Sequence, residues 1–219
     1  MPSHLSATLP ELSPCTRARL EKTDGLVVEI YAEANLPTQY GEFRIVAFVN
    51  NLDFKEHIAI VQGEVAGGQE VLTRIHSECL TGDVFGSLKC DCGEQLERTL
   101  MQLSESPRGL VLYMRQEGRG IGLANKIKAY SLQDQGMDTV QANLHLGFDD
   151  DLRDYSVAAE MLNLLEVESV ALITNNPRKV DGLVAHGVTV TERKPLKILP
   201  NPHNKYYLET KRKKSGHYL

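Results

Sequence analysis

The pattern of apolar and polar positions divides the chain into a first part built of strands and a second part in which helices and strands alternate. In the first part, short runs rich in Val, Ile and Phe are separated by Pro, Gly and Asn, a pattern typical of strands joined by turns. These predicted strands span residues 27–31, 43–48, 57–61 and 71–75. The first third of the chain is therefore predicted to be β-rich.

Beyond Cys92 the spacing of apolar residues changes, and helical segments alternate with short apolar strands. One helix, predicted to begin near Asp154, places Val157, Met161 and Leu165 on one buried face. The other predicted helices span residues 95–103 and 121–135, and the other predicted strands span 110–113, 170–173 and 188–191. The predicted fold class is α/β: a mixed sheet with a β-rich N-terminal part, followed by alternating α/β units.

A helix start directly after a strand marks a candidate ligand position. Asn176 and Pro177 follow the apolar strand at 170–173 and suit the N-cap and the first helical residue. Because the first N–H groups of a helix have no partner within it, we expect them to face an anion or another polar ligand.

Composition and charge argue against several classes of protein. The 219 residues carry 24 Lys and Arg against 29 Asp and Glu, a formal net charge of −5, which argues against a general nucleic-acid binder. The chain lacks the run of about 18 apolar residues that a membrane span requires. Its start lacks the basic and apolar regions of a secretory signal, so a cytoplasmic location is expected, with the cysteines as thiols or metal ligands.

Both ends of the chain differ in composition from the middle. Residues 1–24 are rich in Pro, Ser and Thr and are predicted to be a flexible leader. Residues 201–219 are predicted to be a polar C-terminal tail. The basic run at 211–214 could touch nucleic acid, but the acidic charge of the whole chain favours a solvated tail.

Three cysteines form the most informative pattern. Cys79, Cys90 and Cys92 have the spacing C-x10-C-x-C, and Glu78 precedes the first of them. Three thiolates leave the fourth position of a zinc ion open, which is the arrangement that activates water for hydrolysis. Two alternatives stay open at this stage: Cys15 supplies a fourth thiolate to a structural site, or the cysteines are buried small residues.

A second cluster combines glycines with arginine at residues 115–122. Its glycines match neither the dinucleotide fingerprint nor a Walker motif. Gly118 and Gly120 would let backbone N–H groups approach a phosphate and Arg119 could bind its oxygens, but a plain turn is the alternative. In the following helix Lys126 and Tyr130 share a face, and both could touch a ligand if that face turns to the site. The alternatives are that Lys126 lies on the surface and that Tyr130 packs in the core.

A third cluster is the acidic run at 149–154. By its charge alone it is predicted to be a solvated loop.

Together with the segment at 174–179, these clusters resemble GTP cyclohydrolase II, the first enzyme of riboflavin synthesis. The resemblance runs from about residue 27 to the C-terminus and makes residues 25–200 the catalytic domain. The matching segments are residues 74–83, 90–93, 115–119, 133–136 and 174–179. In many bacteria this enzyme is fused to a dihydroxybutanone-phosphate synthase, but the leader is too short to encode one, so the single-function form is expected.

The resemblance implies that Cys79, Cys90 and Cys92 hold one zinc ion and that water attacks C8 of guanine, releasing formate. It assigns Asp151 as proton acceptor, Arg153 as nucleophile on the α-phosphorus and Tyr130 as an aid to ring opening. It further implies a homodimer and magnesium bridging the GTP phosphates. The GTP contacts that it implies are Arg74, Ile75, His76, Ser77, Glu78, Gln95, Glu117, Gly118, Arg119, Thr139, Thr174 and Lys179.

Two other function classes compete with the enzyme. One is a catalytically silent regulator that binds a nucleotide and contains zinc, and the other is a zinc-stapled RNA-binding module. The acidic charge and the lack of interleaved aromatic residues argue against the RNA-binding module. Release of formate and pyrophosphate from GTP distinguishes the enzyme from the regulator, which would release neither.

Overall fold

The computed structural model describes residues 25–149, 151–214, 216 and 218. The predicted leader at 1–24 lies outside these residues, as does Cys15. Seven strands are present in the described part: β1 (Val28–Thr38), β2 (Gly41–Asn50), β3 (His57–Gln62), β4 (Val71–Ser77), β5 (Gly109–Met114), β6 (Val170–Ile173) and β7 (Val190–Lys194). The helices are α1 (Leu80–Asp83), α2 (Cys92–Ser104), α3 (Leu123–Asp134), α4 (Thr139–His145), α5 (Ser156–Leu164), α6 (Pro177–Ala185) and α7 (Lys205–Lys214). A 3₁₀ turn covers Glu117–Gly120.

The strands form one mixed sheet in the order β1-β2-β3-β5-β4-β6-β7. The pairs β1–β2, β2–β3 and β3–β5 are antiparallel, whereas β4–β5, β4–β6 and β6–β7 are parallel. Strands β1 to β3 of the β-rich first part form antiparallel pairs, whereas its fourth strand, β4, lies between β5 and β6 of the later units and is parallel to both. The predicted α/β class with a mixed sheet is confirmed.

Both faces of the sheet are covered by helices. In β5, Leu110 and Leu112 belong to the larger core cluster, which includes Met161 of α5 and Leu183 of α6. Val111, between them, points to the opposite face and packs with Leu103 of α2. Successive side chains of a strand point to opposite faces, so a strand covered on both sides is apolar throughout.

Several elements differ from the predictions. Strand β1 continues to Thr38 instead of ending at residue 31, and helix α1 was not predicted. Strand β7 begins at Val190 rather than at residue 188. Helix α4 was not predicted; it is short and begins with a capping box between Asp138 and Gln141. The predicted polar tail contains α7, in which Lys211 is buried rather than solvated. Among the described residues, no helix has the length and apolar character needed to cross a membrane.

Candidate active site

The carboxyl ends of three parallel strands meet at one edge of the sheet. Strand β4 lies between β5 and β6, and the three strands end at Ser77, Met114 and Ile173. Ligands of open α/β sheets bind at this edge, where the loops after the strands converge. A cavity opens there, and its lining includes residues from all three loops and from α2, α3, α4 and α7.

The three cysteines of the C-x10-C-x-C pattern meet in this cavity. Cys79 precedes α1, Cys92 begins α2, and the Sγ atoms of Cys79, Cys90 and Cys92 all lie within 4.8 Å of one another. The Sγ atoms of Cys79 and Cys90 are 3.7 Å apart. Among the described residues, no His, Asp or Glu joins the group. Three clustered thiols are a donor set that suits zinc, with one coordination position left over.

A close approach of two glycines makes room for the thiols. A Cβ atom on Gly82 would lie 2.8 Å from Sγ of Cys90 and 3.2 Å from Sγ of Cys79. A Cβ atom on Gly93 would lie 2.4 Å from the carbonyl oxygen of Gly82. Any side chain at either position would therefore push α1 and α2 apart and separate the sulfur atoms.

Lys126 neutralises charge at the thiol cluster. Its Nζ lies 3.1 Å from Sγ of Cys79 and 2.7 Å from Oε1 of Glu117. The pKa of Cys79 is lowered far below that of a free thiol, because hydrogen bonds from Cys90 and Cys92 and the charge of Lys126 favour its thiolate. Burial alone would lower the pKa of Lys126, but its bond to Glu117 and the charge of Cys79 raise it. The surface placement considered for Lys126 is wrong, since the residue is buried.

The carboxylate of Asp83 orients the first cysteine. It accepts hydrogen bonds from the backbone N–H of Cys79 (3.0 Å) and from the hydroxyl of Tyr113 (2.9 Å). Nε2 of His76 lies 3.0 Å from the same carboxylate, and Nε of Arg74 lies 3.4 Å from Nδ1 of His76. Burial lowers the pKa of His76, although Asp83 partly opposes this. A neutral ring that accepts at Nδ1 and donates at Nε2 satisfies both contacts.

The glycine-rich loop is held to the thiol side of the cavity by Glu117. One carboxylate oxygen accepts from Lys126 and the other from the backbone N–H of Leu80 at 2.7 Å. Gly118 and Arg119 both have positive φ, so the loop turns in a conformation that favours glycine. The carbonyl of Arg119 accepts from the N–H of Leu152 at 3.0 Å, which ties the loop to residues 151–153.

Arg153 and Asp151 form an ion pair with little solvent exposure, since their side chains are 10% and 8% exposed. Nε of Arg153 lies 2.7 Å from Oδ1 of Asp151, and Nη2 lies 2.5 Å from Oδ2. Nη1 of Arg153 lies 3.4 Å from the hydroxyl of Ser77. Burial alone would lower the pKa of Arg153, but the hydrogen bonds from its guanidinium to Asp151 raise it. The acidic run is thus no simple solvated loop, and among its described acids Asp151 is the one that pairs with Arg153.

Lys179 adds a cation at the start of α6. Its Nζ donates to the carbonyl of Ile75 at 2.7 Å, and the side chain is buried. Burial and the nearby charges of Arg153 and Arg74 lower the pKa of Lys179 well below its usual value. Asn176 caps α6 by accepting from the N–H of Arg178, as predicted. An anion here would relieve the repulsion among these cations.

Comparison with known proteins identifies the family. The family model described as GTP cyclohydrolase II matches residues 29–195. The chain belongs to this family. Proteins named GTP cyclohydrolase-2 from Actinobacillus succinogenes and Proteus mirabilis are each 55% identical to it, over 88% and 86% of this chain and 88% and 94% of their own. Riboflavin biosynthesis protein RibBA of Bacillus mycoides is 54% identical over 85% of this chain. The match covers 47% of that relative, so this chain spans about half of its length.

Almost all of the site residues implied by the resemblance to GTP cyclohydrolase II line this cavity. Those in the lining are Arg74, His76, Ser77, Glu78, Cys79, Cys90, Cys92, Gln95, Glu117, Gly118, Arg119, Tyr130, Thr139, Arg153, Thr174 and Lys179. Ile75 differs, because its side chain is buried in the core and its carbonyl binds Lys179. Asp151 is outside the lining and contacts the cavity through Arg153.

Several residues near the cavity were not among the predicted site residues of this GTP cyclohydrolase II family member. Asp83 and Tyr113 hold Cys79 and His76 but carry no metal-ligand spacing that would have marked them. Tyr207 and Lys211 reach the cavity from α7, beyond the residues that the family model matches. Leu208, an apolar residue one turn before Lys211 in a basic segment, is the signal that could have indicated a buried face there.

Proposed function

We propose that this chain hydrolyses GTP at two separate centres, releasing formate and pyrophosphate and leaving a diaminopyrimidinone ribosyl phosphate, the first step of riboflavin biosynthesis. The observation that carries the proposal is that a cluster of three thiols and a group of cations, among them Arg119, Arg153 and Lys179, line the same cavity. Membership of the GTP cyclohydrolase II family and the names of its relatives support the choice of GTP as substrate.

The reaction consumes three water molecules. Two of them break the two C–N bonds of C8 in the imidazole ring, so that C8 leaves as formate. The third breaks the bond between the α-phosphorus and its bridging oxygen, so that pyrophosphate leaves. Ring opening and phosphoryl transfer need different catalytic groups, and the cavity offers a different set for each.

The thiol cluster would hold zinc. The residues fit this metal because Cys79, Cys90 and Cys92 are all soft donors, close together and at one side of the cavity. Zinc bound by them would supply the Lewis acidity that activates water for attack on C8. The chain's own contribution is to keep Cys79 as a thiolate through Lys126 and to fix its backbone through Asp83.

Tyr130 is proposed to assist ring opening. Its hydroxyl lies 3.4 Å from that of Thr81, which in turn lies 3.7 Å from Sγ of Cys79. Burial raises the pKa of Tyr130, although the contacts with Thr81 and Lys126 oppose this. The phenol therefore stays protonated at neutral pH and can donate a hydrogen bond to a ring nitrogen as the C–N bond breaks.

The cations are proposed to bind the phosphates, with magnesium bridging them as the family resemblance implies. Arg119, Arg153 and Lys179 line the cavity on the side of the loops after β5 and β6. Charge-assisted hydrogen bonds from such groups stabilise a phosphoryl transition state. The remaining predicted contacts, including Glu78, Gln95, Thr139 and Thr174, also line the cavity, and they are proposed to hold the nucleotide between the two centres.

For Arg153 we propose an electrostatic role rather than that of a nucleophile. Its guanidinium makes two hydrogen bonds to Asp151, and its pKa is raised. A guanidinium attacks phosphorus only after losing a proton, which this pairing disfavours. Rapid-quench trapping tests the choice: a phosphorus–nitrogen adduct would contradict the electrostatic role, and its absence during turnover supports it.

The function itself is tested by incubating the full chain with GTP, zinc and magnesium and measuring formate and pyrophosphate separately. We expect both products. A catalytically silent nucleotide-binding regulator would bind GTP and release neither. The homodimer and the cytoplasmic location are further proposals supported by the family resemblance, and sedimentation of the purified chain tests the dimer.

A further inference from the structure

The C-terminal helix α7 contributes a buried cation to the cavity. Lys211 is 9% exposed, although it belongs to a basic run whose composition is typical of a solvated segment. Its Nζ lies 4.3 Å from the ring centroid of Tyr207, one helical turn earlier, and both residues line the cavity. The family model match ends at residue 195, so this helix lies beyond it.

A carboxylate between two of the clustered cysteines orients Lys211. Nζ of Lys211 lies 3.2 Å from Oδ1 of Asp91, whose other oxygen accepts from Nε2 of Gln95 at 2.5 Å. The amide oxygen of Gln95 accepts from Nη2 of Arg74. Lys211 is thus connected to Arg74 by a chain of hydrogen bonds along one wall of the cavity, and its charge also acts on Lys179, one of the cations proposed to bind the phosphates.

Positive charge in the lining exceeds negative charge. The lining includes the cations Arg74, Arg119, Lys126, Arg153, Lys179 and Lys211, and the acids Glu78 and Glu117. Burying an ammonium group costs several kcal/mol unless negative charge compensates it. Burial alone would lower the pKa of Lys211, but Tyr207 and Asp91 raise it, so Lys211 keeps its positive charge at the cavity wall. This arrangement fits a ligand that carries several negative charges.

We propose that α7 completes the substrate site and that Lys211 binds the phosphate chain of the nucleoside triphosphate, with Asp91 and Tyr207 positioning its ammonium group. The inference rests on the proposed function for the identity of the nucleotide. It adds a binding residue from a segment beyond the family match. Removing the charge should weaken binding of the phosphates but not of the nucleoside.

Calorimetry on the full zinc-loaded chain tests this with two probes, inorganic triphosphate and guanosine. Lys211→Ala should weaken triphosphate binding about tenfold, the loss of one charge-assisted contact, and leave guanosine binding unchanged. Lys213→Ala is the matched control, because Lys213 lies on the same helix, is 63% exposed and pairs with Glu209. It should leave both affinities unchanged. Lys211→Arg keeps the charge and should restore much of the triphosphate affinity.

Equal triphosphate affinities in Lys211→Ala and Lys213→Ala would overturn the inference. Equal weakening of both probes by Lys211→Ala would overturn it too, because that result indicates a merely structural role. If Lys211→Ala does not fold, Lys211→Arg and Lys211→Gln decide the same point by comparison with each other. Absence of formate from the wild-type chain would instead contradict the proposed function, and the triphosphate measurement does not depend on turnover.

Discussion

The two sides of the cavity are assembled in different ways. The thiol cluster comes from residues 79–92, a short stretch of chain folded back on itself where Gly82 and Gly93 allow close contact. The cations proposed to bind the phosphates, Arg119, Arg153 and Lys179, come from three separate parts of the chain. A metal site needs sulfur atoms within a few ångströms, which local folding provides, whereas a phosphate chain needs charges spread over a longer distance.

This difference implies that each side can be disabled without the other. Cys90→Ser removes one thiolate and should abolish formate release and zinc binding, the largest effect expected. Pyrophosphate release should persist, because Arg153 and Asp151 pair with each other and not with the thiols. Measuring zinc, formate and pyrophosphate on one preparation checks all three.

Cys15→Ser is the control for that variant. It should retain zinc and formate release if three thiolates suffice. Loss of zinc from Cys15→Ser would show a fourth thiolate ligand and contradict the open site. Loss of pyrophosphate release from Cys90→Ser would contradict the independence of the two sides.

Arg153→Ala should have the next largest effect, and it should act on pyrophosphate release, the product that Cys90→Ser leaves unaffected. Pyrophosphate release should fall about 100- to 1,000-fold, the usual cost of removing one group that stabilises transition-state charge. Zinc content should not change. The rate of pyrophosphate release in Arg153→Lys should lie between those of the wild type and Arg153→Ala, because lysine keeps the charge but cannot make both bonds to Asp151. Pyrophosphate release at the wild-type rate in Arg153→Ala would contradict the assignment.

Tyr130→Phe should slow formate release about 100-fold, in the range expected for a group that assists proton transfer. Zinc and pyrophosphate release should be preserved, because the ring remains and only the contact with Thr81 is lost. Formate release at the full rate would contradict the role of the hydroxyl.

Gly82→Ala should weaken zinc binding about tenfold or more, since the added Cβ would lie 2.8 Å from Sγ of Cys90. Competition with a chelator measures the affinity. Val84→Ala is a suitable control, because Val84 follows the same helix and is exposed. Equal zinc affinities in the two variants would show that the fit around Gly82 does not position the thiols.

Tyr113→Phe should have the smallest effect. It removes one hydrogen bond to Asp83, worth about 1 kcal/mol, and leaves the bonds from Cys79 and His76 in place. Denaturant unfolding should record this loss with little change in zinc content. A large loss of zinc would show that Tyr113 matters more to the metal site than the remaining bonds allow.

The same contrast explains what could be predicted from the sequence. Most strands and the cysteine cluster follow from local patterns: alternating apolar residues and thiols at fixed spacing. The burial of Lys211 does not, because its partner Asp91 is 120 residues away and Lys211 differs from the solvated Lys213 only in the helix face it occupies. The sequence also could not show which acid pairs with Arg153, because residues 149–151 are all aspartates and the choice of Asp151 depends on the loop conformation.

The central claim is that three thiolates, and no fourth, hold zinc at the side of the cavity where ring opening takes place. X-ray absorption spectroscopy at the zinc edge of the full chain tests it most directly. We predict three sulfur ligands at about 2.3 Å and one lighter ligand. Four sulfur ligands, or zinc bound without sulfur, would contradict the account.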